Sequence, residues 1–554
     1  HVSVNGQGVW PTKSRLAKKL RLSPEQVRVT TPDVGGGLGR KGMNTRETFI
    51  CAHAARVLQR AVRWMSERTE AMLSDNAGRD LTSLAELAFD ENHKMLAYRV
   101  TSTCNLGAYN SQYAQPIQTE LFAKVLMGTY DVQTTWLAVK GVFTNTTQVD
   151  AYRGAGRPEA IFVLERLMDH AARELNVDPL ALRRKNFIAP DAFPYRSATG
   201  EVYDVGQFAK VLSHAEASAD VDGFADRKRK SAMAGKLRGL GLCYYIESIL
   251  GDKDESAKVI FQDDGMVDIL VGTQSNGQGH ETVFAQFLSD QTGIPADHIR
   301  VVQGDSDLIA SGGGTGGSRS GTVQANATLQ TVAVMEKAFR AFLSDKLEVD
   351  ADQIVFDDER FRAPGSNLSP TFLEVADMAR AAGRDDLMQH SAYAVLDSRS
   401  FPNGAHICEV EIDPDTGAVE VARYSVVDDF GNLLNPMLVE GQVHGGVAQG
   451  IGQAISEHVV YDDQGQLLSA SFMDYAVPRA KDVPFYQFET EPLPTTTNVM
   501  GMKGCGEAGT VGTLAAVSNA VHDALSCRGV RRLDMPFTPL RVWEALNQAD
   551  VAAE

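Results

Sequence analysis

The stretch "VGGGLGRKG" at residues 34–42 decides how this chain is read. From Gly37 it spells G-L-G-R-K-G, a literal match to the glycine fingerprint of a dinucleotide-binding loop. A strand-like run, 27–31, precedes it and the helical "RETFICAHAARVLQRAV" follows. The fingerprint also requires an acidic residue about 20 positions further on, closing a second strand. This chain has Arg60, Arg63 and Trp64 in that region, and Glu67 lies among arginines. A nicotinamide or flavin nucleotide is therefore not expected on this loop, and its glycines need another reason.

Five more glycine clusters occur beside polar residues. They are "AYRGAGRPEA" (151–160), "GTQSNGQGHET" (272–282), "SGGGTGGSRSGT" (311–322), "EGQVHGGVAQGIG" (440–452) and "MKGCGEAGTVGT" (502–513). Each reads as a junction between a strand and a helix or turn. Glycine there permits positive φ and lets backbone N–H groups approach an anion closely. A single such loop is an ordinary tight turn. Six of them, spread along the chain, point to an extended anionic ligand gripped from several sides.

The chain has 554 residues, enough for two or more sizeable cores. Strand and helix signals alternate throughout, which predicts a mixed α/β (α+β) class. "PEAIFVLERLMDHAARELN" (158–176) has helical periodicity, and "AHICEVEIDPDTGAVEVARYSVVDD" reads as a hairpin about Asp413–Gly417. Ser369-Pro370 is expected to open a helix. "HVSVNGQGVW" reads as a strand that starts in mid-pattern, so the natural N-terminus is expected upstream or on another chain. The polar run 222–239 marks a division into parts 1–225 and 226–554.

The net charge of -18 argues against nucleic acid or an anionic membrane surface as partner. No stretch of 18 apolar residues predicts a membrane span, and no signal peptide is visible. The six cysteines form no C-x-x-C pair, so neither a zinc knuckle nor an iron–sulfur cluster is written here. Free thiols in a reducing compartment, the cytoplasm, are the expectation.

Taken in order, from "VNGQG" to "LRVWEAL", these segments resemble the molybdopterin-binding half of the large subunit of molybdenum hydroxylases. That family includes xanthine dehydrogenase, aldehyde oxidoreductase and aerobic carbon monoxide dehydrogenase. The resemblance implies a two-part molybdopterin-binding domain. The family's N-terminal hammerhead domain, roughly 150–200 residues by domain size, is absent from this chain. It further implies roles residue by residue. Gln7 sits over the metal, and Gly36, Gly37, Leu38 and Gly39 line the cofactor. Arg153 and Gly154 lie nearest the metal's substrate side. Gln278 and Gly279 reach the pterin, as do Thr315, Gly316, Gly317 and Ser318 with donors suited to pterin and phosphate. Gln442 joins them, and Glu507 is the active-site base. The metal is implied to be held by the dithiolene of molybdopterin, bare or as its cytosine dinucleotide, and not by a side chain. His280 and His444 therefore read as supporting or core histidines.

Departures from the family pattern narrow the substrate. Copper-dependent carbon monoxide oxidation needs a cysteine after the arginine of A-Y-R, where this chain has Gly154. Two polar anchors of xanthine-specific members fall at Gly42 and, by ungapped count, Leu121. With Leu38 replacing a phenylalanine and Ala155 following Gly154, an apolar substrate pocket is expected, for an aldehyde or an aromatic N-heterocycle. A purine dehydrogenase and an inactive cofactor-carrying homologue are the alternatives, and the intact "GCGEAG" weighs against the second. Electrons are expected to leave through a [2Fe–2S] small subunit and an FAD medium subunit. A further chain or segment is expected to carry the missing N-terminal domain.

Overall fold

The computed structural model describes residues 1–553, and strands alternate with helices along them. Two four-stranded mixed sheets carry most of the structure. In the first, the spatial order is Gln487–Thr490, Val419–Asp429, Asn403–Ile412, Leu237–Ile246. Its central pair is the hairpin expected about Asp413–Gly417. In the second, the order is Ile299–Val302, Val267–Val271, Asp254–Phe261, Gln389–Val395. Val267–Val271 and Ile299–Val302 pair in parallel, so the chain must cross over between them, and the His280–Thr292 helix makes that crossing. A three-stranded sheet joins Leu81–Phe89, Met95–Gly107 and Thr134–Phe143. Among the described residues no helix is long and apolar enough to cross a membrane.

The largest apolar core takes in Tyr98 and Leu164 from one side of residue 225 and Tyr244, Cys408 and Val517 from the other. The parts 1–225 and 226–554 are thus not separate cores. The second core is local, around Val259, Phe284, Phe339 and Phe372. The polar run at 222–239 is not a linker. Its first half is the Phe224–Met233 helix, whose Arg227 pairs with Glu409 of the first sheet, and its second half enters the Leu237–Ile246 strand.

Three local expectations give way to backbone chemistry. At the N-terminus only Val2–Ser3 is strand, paired with Val29–Thr30, and a helix begins at Val9. Pro11 falls in its first turn, where no N–H is needed. The helix expected from Ser369-Pro370 begins at Phe372, because Thr371 is the better cap. Its hydroxyl accepts from the Glu374 N–H, and the Glu374 carboxylate accepts from the Thr371 N–H. The glycines of "EGQVHGGVAQGIG" lie inside the Pro436–Ile455 helix, not at a junction.

Those helical glycines serve close packing. The Ala508–Ser526 helix is buried along almost its whole length. A Cβ on Gly446 would lie 2.9 Å from Gly509 Cα, and one on Gly509 would lie 2.5 Å from Val443 O. On the sheet side, a Cβ on Gly241 would sit 2.1 Å from Ala516 O and one on Gly239 2.0 Å from Ala520 O. The helix is therefore seated against bare backbone on two sides. Gly241→Val is expected to destabilise the fold by about 1–3 kcal/mol or more, as overpacking does, read as a lower midpoint in denaturant unfolding. An unchanged midpoint would contradict this seating.

Candidate active site

All six glycine segments reach one cleft of about 550 Å³. Gly35–Gly39, Arg153, Asn276–Gln278, Thr315–Ser318, Gln442 and Gly506–Glu507 line it, with Phe430, Leu433, Leu434 and Val439 forming an apolar wall. Gln7 ties the first loop to the fourth. Its Nε2 donates to Thr315 O (2.9 Å), its Oε1 accepts from the Gly39 N–H (3.1 Å), and its backbone carbonyl accepts from the Thr315 N–H (2.7 Å). A Cβ on Gly37 would come within 2.6 Å of Gln7 Cγ, so the loop closes on Gln7 only with glycine there.

Glu507 stands immediately before the Ala508–Ser526 helix and is mostly buried. Its Oε1 accepts from the Gly154 N–H (2.8 Å). Its Oε2 faces Arg157 Nη2 (2.5 Å) and Ser318 Oγ (3.0 Å). Burial pushes this carboxyl up, but Arg157, the Gly154 N–H and Ser318 together outweigh it and hold Glu507 below its ordinary value. Behind it lies Glu247, fully buried at the end of the Leu237–Ile246 strand. Burial pushes Glu247 up to about 8, against the pull of Arg157 and with the charge of Glu507 adding to the rise.

Arg153 is bound differently from Arg157. It donates to Gly506 O (2.7 Å), Gln442 O (2.9 Å), Gln442 Oε1 (3.2 Å) and Gln449 Oε1 (3.0 Å). Glu159, the carboxylate near it in sequence, pairs with Arg79 instead (3.3 Å). Arg153 is thus a buried cation on the cleft wall with only neutral acceptors. Burial lowers its pKa, with Glu507 opposing.

The third loop adds donors. Gly279 precedes the His280–Thr292 helix with φ of +84°, which places that helix's N-terminus beside the cleft. Gln278 Nε2 contacts His280 Nε2 (3.2 Å), so His280 accepts there and carries its proton on Nδ1. Burial lowers His280 to about 3 and keeps it neutral. His280 Nδ1 and Asn276 Oδ1 are buried without a partner. Glycine-bared backbone, an unpaired cation and orphaned polar atoms together suit an extended anionic ligand.

The other residues expected at the site stand around its edge. Leu38 and Ser318 line the cleft at positive φ (58° and 57°), and Gly36, Gly316, Gly317 and Thr315 line it as well. Gly279 lies just behind, in an adjoining polar recess. Gly42, Leu121, Gly154 and Ala155 are not part of the lining. A Cβ on Gly42 would lie 3.8 Å from the Gln7 amide. Leu121 packs behind the A-Y-R loop, its Cβ 3.0 Å from where a Cβ on Gly156 would be. Ala155 makes the turn of that loop with φ of 38°. Arg157 and Glu247 were not singled out from the sequence. The signal was present in "LCYYIES", a carboxylate closing an apolar strand, and in the second arginine of "AYRGAGR".

Two family models, both described as molybdopterin cofactor-binding domain, match residues 1–187 and 214–484. The chain is 32% identical to the carbon monoxide dehydrogenase large chain of Afipia carboxidovorans, over 95% of this chain and 68% of that one. It is 31% identical to the nicotine 6-hydroxylase large subunit of Paenarthrobacter nicotinovorans, over 96% and 68% respectively. The solved structure of quinoline 2-oxidoreductase from Pseudomonas putida 86 matches with a TM-score of 0.94 at 30% identity, over 99% of this chain and 72% of that one.

Gly154 has φ of +104°, and a Cβ on it would sit 2.2 Å from Pro158 Cγ. A side chain there deforms the loop that holds Glu507 before it reaches any ligand. Gly154→Ala is expected to cost about 1–2 kcal/mol for the left-handed backbone alone, with the clash added. A thermal midpoint equal to wild type would count against this geometry.

Proposed function

Because this chain belongs to the molybdopterin-binding large subunits of the molybdenum hydroxylase family, we propose that it oxidises an aldehyde or an aromatic N-heterocycle, with Glu507 as the proton-accepting base. The cleft's chemistry supports the cofactor. Among the described residues no group of three His, Cys, Asp or Glu could hold a metal ion, so a metal here would be held by the cofactor's own atoms. Arg153, the His280 Nδ1–H and the bare Gly35–Gly37 backbone are the donors that would hold the pterin and its phosphate. The polar recess of about 480 Å³ that shares Gly35 and Gly277 with the cleft supports the cytosine dinucleotide form. When bound, the cofactor's chemistry is two-electron oxidation with oxygen drawn from water.

The observation that carries the reading is the state of Glu507. A mostly buried carboxylate on the cleft wall is held ionised by three donors. Its Oε2 is occupied by Arg157 and Ser318, whereas Oε1 has the Gly154 N–H alone. Oε1 is therefore the oxygen that takes a proton from the cleft side, and the two donors on Oε2 keep the carboxylate aimed while it does so. Gln7, Gln442 and Arg153 position whatever lies beside it.

The substrate class follows from the neighbours. By the family resemblance Gly154 offers no thiolate for copper, whereas Gly42 and Leu121 lie outside the lining and carry no weight against a purine. The apolar wall of Phe430, Leu433, Leu434 and Val439 favours an aromatic or aliphatic body. Electrons leave to Fe–S and FAD centres outside these residues, as the family resemblance implies for a [2Fe–2S] protein and an FAD protein.

The test is an oxidation screen of the assembled complex against aldehydes, N-heterocycles, purines and carbon monoxide, with a dye as acceptor. Turnover confined to purines or carbon monoxide would overturn the substrate reading. Glu507→Gln is expected to lower kcat/KM by about 10²–10⁴, the usual contribution of a general base, with molybdenum and pterin content unchanged. Retention of most of the rate removes the base assignment. Because Glu507 is held below its ordinary value, its ionised form persists as pH falls. The acid limb of kcat/KM is expected below the ordinary glutamate pKa of about 4.3, and a limb above that value would contradict the three-donor arrangement.

A further inference from the structure

Glu507 and Glu247 are bridged twice. Arg157 Nη2 lies 2.5 Å from Glu507 Oε2 and 3.0 Å from Glu247 Oε1. Ser318 Oγ lies 3.0 Å from the same Glu507 oxygen and 2.7 Å from the same Glu247 oxygen. Arg157 and Glu247 are both fully buried, and Arg157 uses only Nη2, its Nε and Nη1 having no partner. Two carboxylates thus share one guanidinium nitrogen and one hydroxyl out of water. Two like charges held against the same donors out of water repel. The pair relieves this by holding one proton between them.

Hydrogen-bond valence says where the proton sits. Glu507 has three donors, Glu247 has two, and Glu247 Oε2 is buried with none. Ser318 Oγ also accepts from the Glu507 backbone N–H (3.0 Å) and has a single proton to give. It can satisfy one carboxylate only. If Glu247 is the protonated member, its O–H donates to Ser318 Oγ and the Ser318 proton goes to Glu507 Oε2. The two bridging oxygens then each have their partner, and Glu247 Oε2, without a donor in either assignment, belongs to a neutral acid and not to an anion. With the opposite assignment, the acid proton sits on the better-solvated carboxyl and Glu247 is a buried anion with an orphaned oxygen.

We propose that Glu247 is a positioning residue that carries the proton of this pair, so that Ser318 donates to Glu507 and the base stays ionised and aimed. This rests on the reading of Glu507 as base. The other titratable groups around Glu247 do not upset the count. Burial pushes the Asp428 carboxyl and the Tyr245 hydroxyl well above their ordinary values, and pushes the Cys505 thiol up to about 12. Arg153 is a second cation within reach of both carboxylates but hydrogen-bonds to neither, so it eases their charge and leaves the sharing of the Ser318 proton unchanged. As pH rises, Glu247 ionises, takes back the Ser318 proton and competes for Arg157, withdrawing two of the three donors of Glu507.

The experiment is infrared spectroscopy of the purified protein with isotope-labelled glutamate, which leaves Asp428 silent, joined to pH profiles of the assembled complex. At neutral pH the wild-type-minus-Glu247→Gln difference is expected to show the loss of one protonated-carboxyl band. Loss of a carboxylate band instead shows an ionised Glu247 and overturns the proposal. In the rate profiles, Glu247→Gln, whose amide N–H replaces the carboxyl O–H, is expected to lose less than about tenfold in kcat/KM, against about 10²–10⁴ for Glu507→Gln. It is also expected to lack the alkaline inflection of the wild type. A loss as large as that of Glu507→Gln overturns the proposal, and so does an unchanged inflection. Should the variant not fold, the labelled wild-type protein still decides: a glutamic carboxyl band at neutral pH that fades with rising alkalinity is expected, and its absence overturns the assignment. If Glu507→Gln keeps its rate while the band behaves as expected, the base assignment has failed and the protonation of Glu247 stands.

Discussion

The Ala508–Ser526 helix lies at backbone distance from a strand on one side and from another helix on the other, because glycines stand at the closest approaches. Any side chain at Gly239, Gly241, Gly446 or Gly509 would push these elements apart by more than the length of a hydrogen bond can absorb. The consequence is felt one residue before the helix begins. Glu507 sits there, and the distances from its carboxylate to Arg157, Ser318 and the Gly154 N–H all depend on where the helix start is held. The close packing of small residues thus sets the geometry of the charged ones.

Two arginines four residues apart take opposite parts. Arg157 opens the Arg157–Glu174 helix, is fully buried, and meets two carboxylates. Removing one member of such a buried set costs about 3–5 kcal/mol, since the remainder is left uncompensated. Arg153 hydrogen-bonds to no carboxylate and faces the cleft, so its donors meet neutral acceptors and whatever binds there. The loop between them turns through positive φ at Gly154, Ala155 and Gly156, and this sends the two side chains to different neighbours. Left-handed Leu38, Ala155 and Ser318 occur in three of the six segments, each at a cost of about 1–3 kcal/mol that the surrounding contacts must offset.

Much of this was legible beforehand. The glycine spacing and the A-Y-R and G-C-G-E-A-G segments pointed to the molybdopterin-binding family that the comparisons show, and all six segments do meet at one cleft. The Asp413–Gly417 hairpin and the helix after Pro158 followed from turn and first-turn chemistry, which is local. The glycines at 440–452 misled, because glycine in a helix for close packing and glycine in a loop for an anion look alike in one dimension. The substrate pocket assigned to Gly42, Leu121, Gly154 and Ala155 also moved, since a residue next to a cleft residue in sequence can turn its Cβ the other way.

The sequence by itself determined the family and the class of ligand its members bind, because these depend on residue types in a fixed order. Only the tertiary structure decided the surroundings of Glu507, the base we propose. Glu247, Arg157 and Ser318 come from three distant segments, and their effect on Glu507 falls off with distance, burial and the number of protons each can share. Those quantities exist only once the chain is folded.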